Sequence, residues 1–194
     1  MDHARRRAIA ERLEAHAPER AWATEISGGE IIVLMSRGNL HELTRYHLTR
    51  QLARQPGGSG GDLIAHGGAD VEDQESGIRR RPDVMVLAES ALATGDAVHP
   101  REVITVVEVV SESNPENDYE GKMRDYPTMG IPHYLIIDPR NGTGLVLSLP
   151  RDTPEGRRYG TRREFRFGER VGVGAYEIDT VGFLTYPNAL RGGP

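Results

Sequence analysis

The sequence predicts an α+β fold in which a mixed or antiparallel central sheet is flanked by helices. Three observations support this prediction: a helical pattern opens the chain, two strand patterns and a second helix follow it, and strand patterns dominate the second half. Helices and strands that are grouped along the chain, rather than strictly alternating, are typical of this class. The length of 194 residues suits one domain, 1–194. We expect residues 1–20 to form an N-terminal helical appendage and residues 21–190 to form the main domain.

The first half contains two helix patterns separated by a hairpin pattern. Apolar residues recur at helical spacing in both helices, and Pro18 follows the first of them. The hairpin has its turn at Ser27-Gly28-Gly29, and a Gly/Ser-rich linker over 56–62 follows the second helix. The predicted ranges are 3–17 and 40–54 for the helices and 22–26 and 30–35 for the strands.

The second half is mainly strands. The polar tract 67–77 is interpreted as a connection, and residues 115–126 are interpreted as a helix that ends or kinks before Pro127. A turn over 139–144 joins two apolar strands, and shorter strands follow towards the end of the chain. The predicted strands before and around these features are 63–66, 84–88, 103–110, 130–138 and 144–149.

Composition excludes several classes of protein. The chain has no cysteine, so disulfides and thiolate metal sites are excluded, and a cytoplasmic location is expected. No apolar stretch approaches the roughly 18 residues that a membrane-spanning helix needs, and the charged N-terminus does not resemble a signal peptide. The net charge of −5 means that any nucleic-acid contact must use a local basic patch.

The strand pattern over 103–110 contains a single acidic residue, Glu108, among apolar and β-branched neighbours. Such a run is typical of a strand that is buried on both faces, where an ionised carboxylate needs a compensating cation. One interpretation is a metal ion, bound as Mg²⁺ is by carboxylates. The other is a hydrated Glu108 near the strand end, paired with an arginine.

Two further residues suggest that Glu108 belongs to a larger site. Asp83 precedes the apolar strand over 84–88 and follows Pro82, so that strand pairing can bring it to the same end of the sheet as Glu108. Lys122 is the only lysine among 24 basic residues. It lies at the margin of the apolar stripe on the predicted helix, from which its amine can reach the two carboxylates. The alternative is that Asp83 caps a turn and Lys122 is solvated.

Four segments, RPDVMVL, VVEVVSESN, DYEGKMRDY and GIPHYLIIDP, resemble the Uma2 family in sequence and in order. The resemblance extends from about Glu30 to the terminal YPNAL. It implies the restriction-endonuclease-like core of the PD-(D/E)xK nucleases. By position, Pro82-Asp83 matches the PD motif and Glu108 matches its acidic residue. Val110 stands where the usual lysine would be, and Lys122 matches the family's lysine on the following helix.

The resemblance also implies accessory residues. Glu30 and His41 match recurrent family positions, and Glu42 is another carboxylate that could complete the site. For His41 we favour a helix-capping or core role. Separately, the basic run Arg79-Arg80-Arg81 before the PD motif predicts a cluster that guides phosphates.

These matches imply a Mg²⁺- or Mn²⁺-dependent endonuclease that acts on DNA. In it, Asp83 and Glu108 hold the metal and Lys122 assists catalysis. Two other functions stay open: a catalytically inactive module that binds nucleic acid or protein, suggested by Val110 and the acidic net charge, and a hydrolase with another substrate. A homodimer is compatible with the sequence, which leaves the oligomeric state open.

Overall fold

The computed structural model describes residues 2–16, 21–35, 37–55 and 62–187. These residues form three α-helices and twelve strands, with short 3₁₀ and π-helical turns between some of them. The helices are α1 His3–Ala15, α2 Asn39–Ala53 and α3 Lys122–Thr128. The strands are β1 Ala21–Ser27, β2 Glu30–Met35, β3 Leu63–His66, β4 Val71–Asp73, β5 Ile78–Arg80, β6 Val84–Ala88, β7 Val103–Val109, β8 His133–Asp138, β9 Thr143–Thr153, β10 Gly156–Arg166, β11 Arg170–Val173 and β12 Tyr176–Asp179.

The α+β fold class is confirmed, and most of the predicted elements lie close to their expected ranges. The predicted glycine-rich linker falls mostly on residues 56–61, which lie outside the described residues. α1 begins after Asp2, whose side chain accepts a hydrogen bond from the Arg5 backbone nitrogen at 2.8 Å. The helix packs against β1: Glu14 of α1 accepts hydrogen bonds from the backbone nitrogen and the hydroxyl of Thr24 in β1, each at 2.7 Å. In the part of the chain that the structure describes, no helix is both long and apolar enough to cross a membrane.

A six-stranded mixed sheet forms the centre of the fold, in the order β10-β9-β8-β7-β6-β3. Only β7 and β8 are parallel within it, and α3 lies on the crossover between them. Alternate residues of the strands point to opposite faces, and a buried apolar cluster covers each face. One cluster contains Leu48 and Leu52 of α2. The other contains Tyr126 of α3, so both faces of the central strands are buried, as the apolar run in β7 predicted.

A second sheet corrects the sequence prediction. Its order is β2-β1-β5-β4, and it contains the predicted β1–β2 hairpin. The tract 67–77 is not a simple connection, because β4 lies within it and pairs with β5 just beyond it. The two strands are mostly charged in sequence, so their apolar signal is weak. Their charged side chains are nevertheless buried, with Glu72 5% and Arg80 0% exposed.

The region between β7 and β8 also differs from the prediction. Instead of one continuous α-helix, residues Asn117–Gly121 form a π-helical turn that leads into α3. Pro127 does not end α3, which continues to Thr128. A proline this close to the end of a short helix leaves little helix beyond it to disturb. The π-helical turn shifts the residues before α3 relative to those within it.

Candidate functional site

The site lies where β6 begins and β7 ends. Val84 pairs with Val107 in the antiparallel ladder, so that Asp83 and Glu108 are the next residues along the two strands. Both side chains are buried, at 1% and 0% exposure. The backbone nitrogen of Asp83 lies 3.4 Å from Glu108 Oε2. The structure therefore brings together the two acidic residues that the sequence singled out.

One oxygen of the Asp83 carboxylate is held by protein donors. Oδ2 accepts a hydrogen bond from the backbone nitrogen of Val109 at 2.8 Å and lies 3.2 Å from Nε2 of His41. The other oxygen, Oδ1, is in direct contact with the guanidinium of Arg37. The negative charge of Asp83 is therefore compensated by an arginine from the segment between β2 and α2.

Glu108 is arranged in a comparable way. Its Oε1 accepts a short hydrogen bond from the hydroxyl of Tyr126, and its Oε2 lies 2.8 Å from Nζ of Lys122. Burial, together with the charge of Glu108, raises the pKa of Tyr126 well above its usual value, which keeps this hydroxyl a donor. Each of the two carboxylates thus has one oxygen anchored by the protein and one oxygen facing a cation of the chain.

Lys122 is fully buried among three carboxylates. Its Nζ lies 2.8 Å from Glu108, 3.0 Å from Asp118 and 3.7 Å from Glu25. Burial alone would lower the pKa of Lys122, but the negative charges of Asp118, Glu108 and Glu25 outweigh it, so that its pKa is raised. Lys122 is therefore a protonated ammonium at neutral pH, and it acts as a cation and donor rather than as a base.

Asp118 was not identified from the sequence as a site residue. It lies in the π-helical turn, one turn before Lys122, and its backbone carbonyl accepts a hydrogen bond from the hydroxyl of Tyr134 at 2.9 Å. Burial is the main cause of the raised pKa of Asp118, which is about 6; the charge of Lys122 lowers this pKa and that of Glu108 raises it. Asp118 can therefore exchange a proton near neutral pH.

Glu25 of β1 is the second carboxylate that the sequence analysis missed. Oε2 accepts hydrogen bonds from Arg80 at 2.7 Å and Asn117 at 3.0 Å, and Oε1 accepts one from the backbone nitrogen of Arg81 at 3.0 Å. Burial alone would raise the pKa of Glu25, but the charges of Lys122 and Arg80 outweigh it and bring the pKa to about 2. One acidic residue in an otherwise uncharged strand, the pattern that marked Glu108, is also present in β1.

Two of the three arginines that the sequence predicted to guide phosphates are buried, and the third is partly exposed. Arg80 is 0% exposed and donates to Glu25 at 2.7 Å, to Asn117 at 2.8 Å and to Asp125 at 2.9 Å. Arg79 is also buried, and both Arg79 and Arg81 pair with Asp70. Arg79 and Arg80 therefore do not present their guanidinium groups to solvent in this structure, whereas the Arg81 side chain is 16% exposed.

The three accessory candidates have different positions. His41 is buried at the site beside Asp83, and burial, followed by the charge of Arg37, lowers its pKa to about 3, so the imidazole is neutral. Glu42 is 45% exposed and pairs with Arg45 at 2.7 Å. Glu30 is exposed at the start of β2, opposite Ser27. Of the early residues, Glu25 and His41 reach the cluster. The half-buried Glu42 lies 3.5 Å from Nδ1 of His41, and Glu30 faces solvent.

Two cavities adjoin this cluster. One, of about 70 Å³, is lined by Lys122 and Asp118 together with residues of β2 and the end of β7. The other, of about 330 Å³, is lined by His41 and by the segment that follows β7. Arg37 lines both cavities. Arg37 thus borders both spaces beside the cluster, and Asp118 and Lys122 border the smaller of them.

The donor set at this site suits a hard divalent cation. Within the described ranges, no group of three or more histidine, cysteine or acidic side chains is arranged to hold a metal ion. Mg²⁺ usually binds through only one or two carboxylates and keeps several water molecules, and Asp83 and Glu108 supply that number. One oxygen of each carboxylate already contacts a cationic side chain, Arg37 at Asp83 and Lys122 at Glu108.

The mixed sheet, with acidic residues at adjoining strand ends and a lysine from the following helix, places this chain among proteins with the restriction-endonuclease-like fold. A crystal structure of a putative nuclease belonging to DUF820 from Anabaena variabilis has the same fold, with a TM-score of 0.58 and 16% sequence identity. The similarity covers 83% of this chain and 87% of that one. Residues 10–172 match the model of the Uma2 family, described as "Putative restriction endonuclease". The chain belongs to the Uma2 family, as its motifs indicated. No curated protein matches it.

Proposed function

We propose that this protein is a metal-dependent endonuclease that hydrolyses phosphodiester bonds in DNA. The observation that carries the proposal is the pair of buried carboxylates, Asp83 and Glu108, at adjoining strand ends beside two cavities. Membership of a family described as restriction endonucleases supports the nuclease reaction. The finer assignments, DNA as the substrate and Mg²⁺ or Mn²⁺ as the cofactor, rest on the donor set and on its position in the fold.

In this proposal Asp83 and Glu108 hold the metal ion. A bound Mg²⁺ would polarise the scissile phosphate and lower the pKa of a coordinated water molecule. His41 and the backbone nitrogen of Val109 keep the Asp83 carboxylate in place, at 3.2 and 2.8 Å. Tyr126 anchors Glu108 in the same manner.

Lys122 supplies fixed positive charge at the site. Because it is buried and protonated, its ammonium stabilises the negative charge that builds on the phosphate during attack. Asp118 contacts Lys122 at 3.0 Å and lines the smaller cavity. Its pKa of about 6 allows it to accept a proton released near this point at neutral pH.

Plasmid cleavage tests the proposal. Purified protein is incubated with supercoiled DNA and Mg²⁺ or Mn²⁺, and parallel reactions contain EDTA. Glu108→Gln and Lys122→Met should each lower the cleavage rate by roughly 100-fold or more, since each removes charge from the reaction centre. Glu164→Gln changes an exposed residue of β10 and serves as the control, with the rate unchanged. Circular dichroism checks that each variant is folded.

A catalytically inactive module that binds nucleic acid or protein is the second candidate. It is favoured by Val110, which is buried where the nuclease motif usually has a lysine. For such a module, DNA binding would persist while metal-dependent cleavage is absent from the wild-type protein. A wild-type rate that is the same in Mg²⁺ and in EDTA would reject the endonuclease.

A further inference from the structure

Arg37 lies on the exposed side of the Asp83 carboxylate. It belongs to the connection between β2 and α2, and its guanidinium contacts Asp83 Oδ1 directly. The Arg37 side chain is 12% exposed, whereas that of Asp83 is 1% exposed. Arg37 also lines both of the cavities that adjoin the site. It therefore separates the buried carboxylate from the space through which ions and phosphates would enter.

The other side of Asp83 is closed to a cation. Its Oδ2 is held by the backbone nitrogen of Val109 at 2.8 Å and lies 3.2 Å from His41 Nε2. Oδ1 is thus the oxygen through which Asp83 could bind an ion, and Arg37 is in contact with it.

We propose that Arg37 is an exchangeable counter-ion, which neutralises Asp83 before the metal binds and which the metal must displace. This inference rests on the metal site of the proposed function. A carboxylate that is 1% exposed is costly without a nearby cation, so some positive group must stay beside Asp83 until the metal arrives. Arg37 and the metal ion then compete for one oxygen, and Arg37 lowers the apparent affinity for metal.

Arg37 borders the larger cavity, whereas Lys122 is enclosed by carboxylates. Lys122 is fully buried and held by three carboxylates, so it stays in place when Glu108 binds a metal. Arg37 instead precedes Gly38 in a short connection and faces a cavity of about 330 Å³. A displaced guanidinium can enter that cavity, where its planar donor set suits a phosphate of the substrate.

Metal affinity of the intact protein tests the exchange. Mn²⁺ binding is measured by titration calorimetry for the wild type, Arg37→Gln and Arg37→Lys. Arg37→Gln removes the competing cation and should bind Mn²⁺ more tightly by roughly tenfold or more, the change expected for one close charge pair. Arg37→Lys keeps the charge and should stay near the wild-type affinity.

The matched control is Arg45→Gln. Arg45 also places positive charge near His41, but it pairs with Glu42 at 2.7 Å. Its removal should change the Mn²⁺ affinity by much less than that of Arg37, because only Arg37 occupies the binding oxygen. An equal gain in Mn²⁺ affinity in Arg37→Gln and Arg45→Gln would overturn the exchange, because it would show that the loss of any nearby positive charge has the same effect.

A chemical readout in the wild-type protein needs no variant. Phenylglyoxal modifies accessible arginines, and mass spectrometry locates the modified residues. The reactivity of Arg37 should rise severalfold when Mg²⁺ is added, because displacement exposes its guanidinium. Two results together would overturn the exchange but leave the metal site standing. They are equal Mn²⁺ affinity of the wild type and Arg37→Gln, and equal reactivity of Arg37 in the wild type with and without Mg²⁺. Absence of Mn²⁺ binding in both proteins overturns the metal site and the exchange together.

Discussion

The buried arginine Arg80 should be one of the largest single contributors to the stability of the fold. It joins β5 to β1 through Glu25 at 2.7 Å, and to the β7–β8 crossover through Asn117 at 2.8 Å and Asp125 at 2.9 Å. In Arg80→Met, Glu25 would keep Lys122 at 3.7 Å, and Asp125 would keep Arg124 at 3.0 Å. Both carboxylates would nevertheless lose their closest charged partner inside the protein. Breaking one side of such a buried pair costs about 3–5 kcal/mol.

Urea unfolding in EDTA, followed by far-UV circular dichroism, measures this loss without a contribution from metal. With the slope usual for a small protein, the midpoint should fall by roughly 1–2 M. The control is Arg162→Met, in which the lost partner Glu164 is 75% exposed, so the cost should be below about 1 kcal/mol. A loss in Arg80→Met no larger than in Arg162→Met would contradict the prediction, since it would show that water or the remaining partners compensate the two carboxylates.

Three further predictions concern the same cluster. Glu25→Gln should lower the free energy of unfolding by on the order of 3 kcal/mol at pH 7 and by less at pH 3. The folded pKa of about 2 lies below the ordinary value of 4.5, so the stabilisation from Glu25 fades as the pH falls through this range. Urea midpoints at both pH values measure the loss, and equal losses of stability at pH 7 and pH 3 would contradict the prediction. Gly121→Ala should lower the free energy of unfolding by about 1–3 kcal/mol, because the new methyl group would lie 2.9 Å from the buried Arg80 guanidinium. The control Gly172→Ala has open space around the new methyl group and should be nearly neutral in the same assay. Lys122 should react with an amine-directed reagent far more slowly in the folded protein than in urea, because it is buried and protonated. Mass spectrometry measures the labelling of Lys122 directly, since it is the only lysine of the sequence. Equal labelling rates in the folded protein and in urea would show that Lys122 is exposed to solvent.

The central strands could be predicted from the sequence because burial on both faces leaves a continuous apolar run. The bounds of β3 and β6 match the prediction, and β7 ends one residue earlier than predicted. The β4–β5 hairpin was missed for the opposite reason. Residues such as Glu72 and Arg79 give β4 and β5 a charged pattern, and only tertiary ion pairs make their burial acceptable.

The candidate site shows the same division. Asp83 and Glu108 could be identified because each is a carboxylate next to or within an apolar strand. Lys122 could be identified because it is the only lysine. Asp118 and Glu25 carry only weak local signals, which are the i, i+4 spacing of Asp118 to Lys122 and the lone acidic residue in an uncharged strand. Asp118 reaches Lys122 through the π-helical turn, and Glu25 reaches it from the other sheet, so that the contact of Glu25 depends on packing between segments that are distant in sequence.

The position of the lysine follows from the packing around Glu108. Val110 lies two residues after Glu108 and packs into the apolar cluster that contains Tyr126 and Tyr134. A lysine at 110 would have to place its stem among these rings, whereas Lys122 approaches Glu108 from α3 with its ammonium already among carboxylates. The usual nuclease lysine can therefore be replaced by valine without loss of the cation.

The buried groups around the site carry more negative than positive charge. Five buried carboxylates belong to the cluster or pair with its fixed cations: Glu25, Asp83, Glu108, Asp118 and Asp125. Arg80 and Lys122 are fixed among them, and Arg37 is the third cation. The carboxylates therefore outnumber these three cations, in keeping with the pKa of about 6 for Asp118. A divalent ion in place of Arg37 would add one positive charge, so metal binding should lower the pKa of Asp118 and release protons from the protein near pH 6, which titration calorimetry in buffers of different ionisation enthalpy would detect.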